Sequence, residues 1–294
     1  MKIGMNLLLW TDQAKPEIHA SLLRQIKAWG FDGVELAADT MDRSDALAFR
    51  ELLDGLHLGR TTIAALDANL ADPASPELSL RRSAVDMLKK ALDNTHILGA
   101  ELLCGPLFQG LGRFTGRGPQ TEEWQYAVEI LREVGEYAQS LGICIALEPL
   151  NRFEMYMVNT LEAGVRFVKD VNLPNVGLLA DTHHSNIEEG NVLEAWRQAA
   201  PYINHVHISE NHRGVPGTGH AILPEIFDLL VELNYNQWLT IEAFSQSVPG
   251  LIPRLHLWRS YATSTDAAAS DGICYIHEQL KRAVERRSDK HANR

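Results

Sequence analysis

The sequence predicts a (β/α)8 barrel, on three observations. Short apolar runs of strand length alternate with amphipathic segments of helical length along the whole chain. Eight such runs fall within about 250 residues, the size of this fold. No Gly-x-Gly-x-x-Gly fingerprint follows the first run, which speaks against a doubly wound sheet, and no Pro/Gly/Ser-rich linker divides the chain.

The elements follow in order. Residues 3–9 are the first apolar run; Ile18, Leu22 and Ile26 then recur at helical spacing over 17–29, which Gly30 ends. Residues 33–37 are the next strand and 44–56 the next helix, with a strand at 60–66. Ser75 and Pro76 read as N-cap and first helical position. Leu80, Ala84, Met87, Leu88 and Ala91 line one face of the helix that Gly99 stops. A strand at 101–104, a helix at 121–141 stopped by Gly142, and a strand at 143–147 continue the alternation. Capping boxes at Asn159 with Glu162 and Ser185 with Glu188 mark helix starts in the second half. Strands at 176–180, 203–208 and 238–241, with a helix at 223–233, complete eight units. Residues 249–265 and a final helix at 272–287 form a C-terminal helical appendage whose last polar residues are expected to fray. The expected architecture is one α/β domain over 1–294, a single (β/α)8 TIM barrel with a C-terminal extension from about 249.

Composition narrows the function. The 294 residues are 45% hydrophobic and 22% charged, ordinary for a globular chain. Against 38 acidic residues stand 27 Lys and Arg, a formal net charge of -11 with no basic run, so neither nucleic acid nor an anionic membrane is an expected partner. Cys104, Cys144 and Cys274 are odd in number and widely spaced, and read as reduced core residues. Strand-like sequence starts at Met1 without signal-peptide features, and no apolar run reaches the ~18 residues that span a bilayer. A cytoplasmic location is expected.

Alternation along the strands then picks out a constellation. Glu148 follows an apolar run, and Pro149 stops the strand and keeps Glu148 extended. With Leu147 facing the helices, Ala146 and Glu148 face inward; so do Leu179 and Asp181, His205 and His207, Thr240 and Glu242. Four successive strands thus each present an inward polar residue at the mouth: Glu148, Asp181, His207 and Glu242. Three carboxylates buried together repel one another unless a cation lies among them. Carboxylate oxygens and one imidazole, with no thiolate, suit Mn²⁺, Mg²⁺ or Co²⁺ better than a closed zinc site. His205, one layer below, reads as a hydrogen-bonded interior histidine. Glu35, at the end of its strand, reads either as a substrate contact or as a loop anchor. The Gly214 to Gly219 loop reads as a turn into the next helix ahead of a phosphate cradle.

The motifs E-P-L-N-R-F-E at 148–154, D-T-H-H-S-N at 181–186, H-I-S-E-N-H-R at 207–213 and I-E-A-F at 241–244 resemble the D-tagatose 3-epimerase and D-psicose 3-epimerase branch of the sugar isomerase/epimerase family, whose fold is a xylose isomerase-like TIM barrel. The resemblance runs over nearly the whole chain. It implies Glu148, Asp181, His207 and Glu242 as metal ligands, with Mn²⁺ foremost, and Glu148 and Glu242 as the catalytic acid/base pair. It further implies that Glu154, His184 and Arg213 hold sugar hydroxyls and carbonyl, and a homodimer or homotetramer. Trp10, after the first strand, is placed to stack on a sugar or to cover the barrel mouth. The implied reaction inverts carbon 3 of a free ketose through a cis-enediolate, one glutamate removing a proton and the other returning one to the opposite face.

The sequence departs from the family pattern at Leu7, Leu8 and Leu9, where aromatic residues are frequent, and at Ala243, where proline commonly follows the last ligand. Tagatose, fructose, psicose, ribulose or a shorter ketose stay open as substrate. Isomerisation of a sugar or a hydroxypyruvate-type substrate, or dehydration of a polyol, would use the same four ligands. A nuclease reading is opposed by the acidity and by the missing zinc-cluster ligands, and a non-catalytic carbohydrate-binding barrel by the complete ligand set.

Overall fold

Strands that are apolar on both faces are buried only where helices cover one face and a second layer of side chains fills the other. In the computed structural model, which describes residues 1–292, eight parallel strands meet this condition by closing into a barrel in sequence order. They are β1 (Lys2–Asn6), β2 (Gly33–Ala37), β3 (Gly59–Ile63), β4 (Leu102–Gly105), β5 (Cys144–Leu147), β6 (Val176–Asp181), β7 (Ile203–Ile208) and β8 (Trp238–Ile241). β1 closes the ring by pairing with both β2 and β8. Outside run α1 (Pro16–Ala28), α2 (Arg43–Leu56), α3 (Leu78–Leu98), α4 (Thr121–Ser140), α5 (Leu161–Val171), α6 (Thr182–Glu188), α7 (Val192–Ala199) and α8 (Pro224–Glu232). A short α9 (Ile252–Leu255) and the long α10 (Thr265–Ala292) follow β8.

The two faces of each strand do different work. Leu147, Ala180, Val206 and Ile241 join the main core with helix residues such as Leu53, Leu88, Phe167 and Phe227. Ile63, Leu102, Cys104, Ala146 and Leu179 form a separate small cluster inside the barrel. The inward parity expected for Ala146 and Leu179 therefore holds. At the bottom the indole of Trp238 lies across Gly33 and Gly59, where a Cβ would sit 2.5 and 2.7 Å from its ring. α10 is more than an extension: Ala268, Ala269, Ile273 and Ile276 are buried in the main core, and Tyr275 packs edge-on against Phe227 of α8. It takes the place of the barrel's eighth helix.

Gly30, Gly99 and Gly142 stop their helices with φ of +97°, +77° and +72°, as expected. Other boundaries move for local reasons. β1 ends at Asn6, because the Asn6 side chain accepts from Leu8 N and turns Leu7–Leu9 into a 3-10 turn. β3 ends at Ile63. Ile18 is 66% exposed, and α1 buries Leu23 and Ile26 instead. Ser75 does not cap α3: its hydroxyl accepts from Glu77 N, and the helix begins at Leu78. Neither expected capping box forms. Thr160 caps α5 and Asp181 caps α6, while Asn159 donates to Leu150 O and Met155 O, and Ser185 accepts from Trp196 Nε1. α10 begins at Thr265, ahead of Gly272; the polar end expected to fray lies in part outside the described residues. No helix among the described residues is long and apolar enough to cross a membrane.

Candidate active site

Parallel strands bring their C-terminal ends to one face, and there a cavity of ≈ 870 Å³ opens. Glu148, just past β5, continues the ladder by donating its N–H to Gly105 O, and Glu242, just past β8, does the same to Ile208 O. Asp181 ends β6 and starts α6: its Oδ1 accepts from His183 N and His184 N. That leaves Oδ2 for the site. Asp181 pairs in register with His207, and His207 with Thr240. One donor atom from each of Glu148, Asp181, His207 and Glu242 lies within 4.8 Å of the others, and all four residues are buried. The constellation expected from strand alternation is assembled.

Two of these donors have no hydrogen-bond partner: Asp181 Oδ2 and His207 Nδ1. Buried orphan polar atoms are costly, and these two face their neighbours. His207 Nδ1 lies 3.4 Å from Glu242 Oε1, 3.8 Å from Glu148 Oε1 and 3.8 Å from Asp181 Oδ2. Its other nitrogen, Nε2, lies 2.8 Å from Glu35 Oε1 and carries the proton of that contact, so Nδ1 is the atom turned to the three carboxylates. Arg213 Nη1, 3.5 Å from Asp181 Oδ2 and 2.7 Å from Glu242 Oε2, answers part of this charge, and the remaining donor set fits a hard divalent ion. The proton affinities show the same crowding. Burial, then the charge of Glu242, push Glu148 well above the ordinary carboxylate range. Burial pushes Asp181 up to about 6. Burial would lower His207, but Glu35 and Glu242 outweigh it and pull it well up. Burial would raise Glu242, but His207 and Arg213 hold it low.

The rim carries the groups expected to meet substrate. Glu154, His184 and Arg213 all line the cavity with Glu148 and Glu242. Arg213 Nη1 donates to Glu242 Oε2 at 2.7 Å and to Ser209 Oγ at 3.1 Å, and its guanidinium lies over the Phe244 ring. It sits at φ +60°, an uncommon backbone state for a non-glycine residue, with its N–H donating to Glu210 O and its carbonyl accepting from Phe244 N. His184 has its tautomer fixed. Asn151 N donates to Nδ1 at 3.0 Å, so Nε2 holds the proton, 3.6 Å from Glu148 Oε1. Burial, reinforced by Arg213, keeps that ring neutral. The 3.0 Å approach of Arg213 Nη2 to His184 Nε2 thus brings two donors together, both available to one substrate oxygen. His183, the neighbouring histidine, turns its Nδ1 to Glu210 O.

Other expected residues lie elsewhere. Trp10 does not line the cavity; it stacks on Trp29 and its Nε1 donates to Asp266 of α10. Glu35 is neither a strand-end residue nor a loop anchor, but sits mid-strand and fully buried beneath the site. Cys104 is buried, whereas Cys144 and Cys274 are exposed, and all three are free. In the Gly214 to Gly219 loop the amide of Gly217, with that of Ala221 beyond, donates to the carboxylate of Glu210. A protein carboxylate fills the place a phosphate would take. Asn151 and Glu210 were not picked out from the sequence. Asn151 lies inside the E-P-L-N-R-F-E motif and Glu210 inside H-I-S-E-N-H-R, so the signal for each was its closeness to a candidate ligand, Glu148 and His207.

Comparisons with known proteins follow the same lines. A family model described as xylose isomerase-like TIM barrel matches residues 23–268. A probable ketose 3-epimerase of Synechocystis is 30% identical over 278 residues, covering 95% of this chain and 96% of that one. A D-psicose 3-epimerase of Ruminiclostridium cellulolyticum is 30% identical over 274 residues, covering 92% and 93%. A solved structure of an L-ribulose 3-epimerase matches with a TM-score of 0.92 at 30% identity, covering 100% of this chain and 98% of that one.

Proposed function

We propose, on the premise that this chain belongs to the xylose isomerase-like TIM barrel family and is an isomerase, that it is a metal-dependent 3-epimerase of free ketoses of the tagatose, psicose or ribulose type. One observation carries the reading. Two orphan donor atoms, Asp181 Oδ2 and His207 Nδ1, lie among the carboxylates of Glu148 and Glu242, and both glutamates also line the cavity.

Glu148, Asp181, His207 and Glu242 would hold the ion, Mn²⁺ foremost with Co²⁺ or Mg²⁺ as alternatives. When bound, the ion polarises the ketose carbonyl and acidifies the neighbouring C–H. Glu148 and Glu242 stand three strands apart around the ring. One takes the proton from carbon 3; the other delivers a proton to the opposite face, and the roles exchange for the reverse epimer. His184 Nε2–H and the Arg213 guanidinium meet the negative oxygen of the enediolate as preorganised donors. Glu154, held by Asn151 Nδ2 at 2.7 Å, accepts from a sugar hydroxyl. Exposed Trp258 and Tyr261 support self-association as a homodimer or homotetramer, which sedimentation checks. We place the enzyme in the cytoplasm.

The test is incubation of Mn²⁺-loaded protein with a panel of ketopentoses, ketohexoses and ketotetroses in deuterium oxide, reading deuterium at carbon 3 and the products. Wild type is expected to exchange and epimerise, and Glu148→Gln and Glu242→Gln each to lose both. Retained exchange in both variants would sink the acid/base assignment. An aldose product, or loss of water, would replace epimerisation by isomerisation or dehydration.

A further inference from the structure

Glu35 is a full negative charge inside the barrel with no Lys or Arg in ion-pair reach among the described residues. It shares its face of β2 with Gly33 and Ala37, while Val34 and Leu36 face the helices, so it faces the interior, where strand register sets it beside Asn6 of β1 and Thr61 of β3. Five donors answer the charge. Oε1 accepts from Asn6 Nδ2 at 3.0 Å and from His207 Nε2 at 2.8 Å. Oε2 accepts from Thr61 Oγ1 at 2.8 Å, His205 Nε2 at 2.8 Å and Cys104 Sγ at 3.3 Å.

We propose that Glu35 is a positioning residue that holds the His207 ring by its Nε2–H, keeps Nδ1 turned toward the site carboxylates, and thereby sets the affinity of the site for its divalent cation. The inference rests on the metal-dependent reading above.

The placing of one ring between two sets of carboxylates carries it. On one side of the ring Glu242, Glu148 and Asp181 lie 3.4–3.8 Å from Nδ1; on the other, Glu35 lies 2.8 Å from Nε2. With Glu35 gone, the ring loses its anchor at Nε2, and nothing on that side holds Nδ1 toward Glu242, Glu148 and Asp181. Glu35 itself cannot swing away, since Asn6 and Thr61 hold both its oxygens from neighbouring strands. A separate ion among Glu35, Cys104, His205 and His207, whose donor atoms also lie within 4.8 Å of one another, is the competing idea. Both oxygens of Glu35 are already occupied by donors, and His205 Nδ1 is the one further unpartnered atom there. A single bare nitrogen does not hold a cation. Carboxylate support of a ligating histidine is worth roughly 10–100-fold in metal affinity.

The experiment is titration of metal-free, full-length protein with Mn²⁺ against a competing chelator. It compares wild type, Glu35→Gln and Leu88→Ala, the last a core truncation on α3 that loosens the fold away from the barrel interior. Glu35→Gln is expected to weaken Mn²⁺ binding by roughly 10–100-fold. Leu88→Ala should lower the melting temperature and leave affinity within about twofold. Equal affinity in wild type and Glu35→Gln, or an equal loss in Leu88→Ala, would overturn the assignment. Should Glu35→Gln not fold, imidazole ¹⁵N spectra of the metal-free wild type decide: a proton on His207 Nε2 supports it and a bare Nε2 overturns it. A wild type that binds no Mn²⁺ would instead overturn the metal-dependent reading, and this inference with it.

Discussion

The two halves of the barrel end differently. β5 to β8 present Glu148, Asp181, His207 and Glu242 at the mouth, while β1 to β4 end in Asn6, Ala37, Ile63 and Gly105. Asn6 does not face the substrate; it turns its amide down to Glu35 and its oxygen to Leu8 N. From the first half the cavity receives the apolar Leu8, Ala37 and Ile63 at the strand ends, with polar loop residues such as Asp12, Asp39 and Arg113 around them. The difference separates chemistry from selection. On the proposed function, the second half holds the reacting centre, and the first shapes what lies against it, with Glu35 underneath as the proposed brace.

If that division is right, the largest losses come from the second half. Glu242→Gln should lower kcat by at least 10²–10⁴-fold, the usual range for a general acid or base. The protein should stay folded, because Arg213 Nη1 still has Ser209 Oγ to bond. Arg213→Ala should cost roughly 10²–10³-fold in kcat by removing a donor to the developing oxyanion. Steady-state kinetics on both variants check this pair.

Substitution of the apolar first-half residues should change preference more than rate. Leu8→Ala or Ile63→Ala is expected to shift the ratio of kcat/KM between a ketohexose and a ketopentose by about 10-fold, the scale of a change of apolar contact in a pocket. Mn²⁺ affinity should stay unchanged. A Leu8→Ala loss as deep as that of Glu242→Gln would break the comparison, because selection and chemistry would then share the first half.

The division was only half legible in the sequence. The second half could be read because each ligand occupies an inward position at a strand end, so parity alone brought Glu148, Asp181, His207 and Glu242 together. The first half obeys the same parity, but Glu35 was read at a strand end, as a substrate contact or a loop anchor. What parity lacks is depth: Glu35 sits mid-strand, and strand register, not sequence, puts it level with Asn6 and Thr61 and under His207. Leu7 to Leu9 misled for a related reason, since apolar content is equally suited to a strand and to the 3-10 turn that Asn6 caps. Trp10 was read from its position after β1 as stacking on a sugar or covering the barrel mouth, yet its indole N–H finds Asp266 on α10. That contact closes 256 residues of chain and leaves no local trace.

The smallest expected effect concerns a loop that joins the halves at the rim. Arg113 and Phe114, after β4, line the cavity, and Arg113 is pinned to Asp72 at 2.7 Å and to Glu123 at 3.1 Å. Glu123 also accepts from Gln120 N at the start of α4 and pairs with Arg117. Burial would raise its pKa, but the Gln120 amide, the Tyr156 hydroxyl and Arg117 outweigh burial and hold it below the ordinary value of 4.5. A carboxylate whose folded pKa is depressed adds stability that is complete above the unfolded value and is lost as pH falls through the folded one. Glu123→Gln should therefore cost about 1 kcal/mol near neutral pH, the scale of a lost helix cap. The gap to wild type should close below pH 4.5. Urea unfolding from pH 7 to pH 3 reads it directly. KM for the ketose should rise modestly in the variant, because Arg113 loses a tether, while kcat stays near wild type. A fall in kcat with KM unchanged would instead place this loop with the reacting half of the barrel.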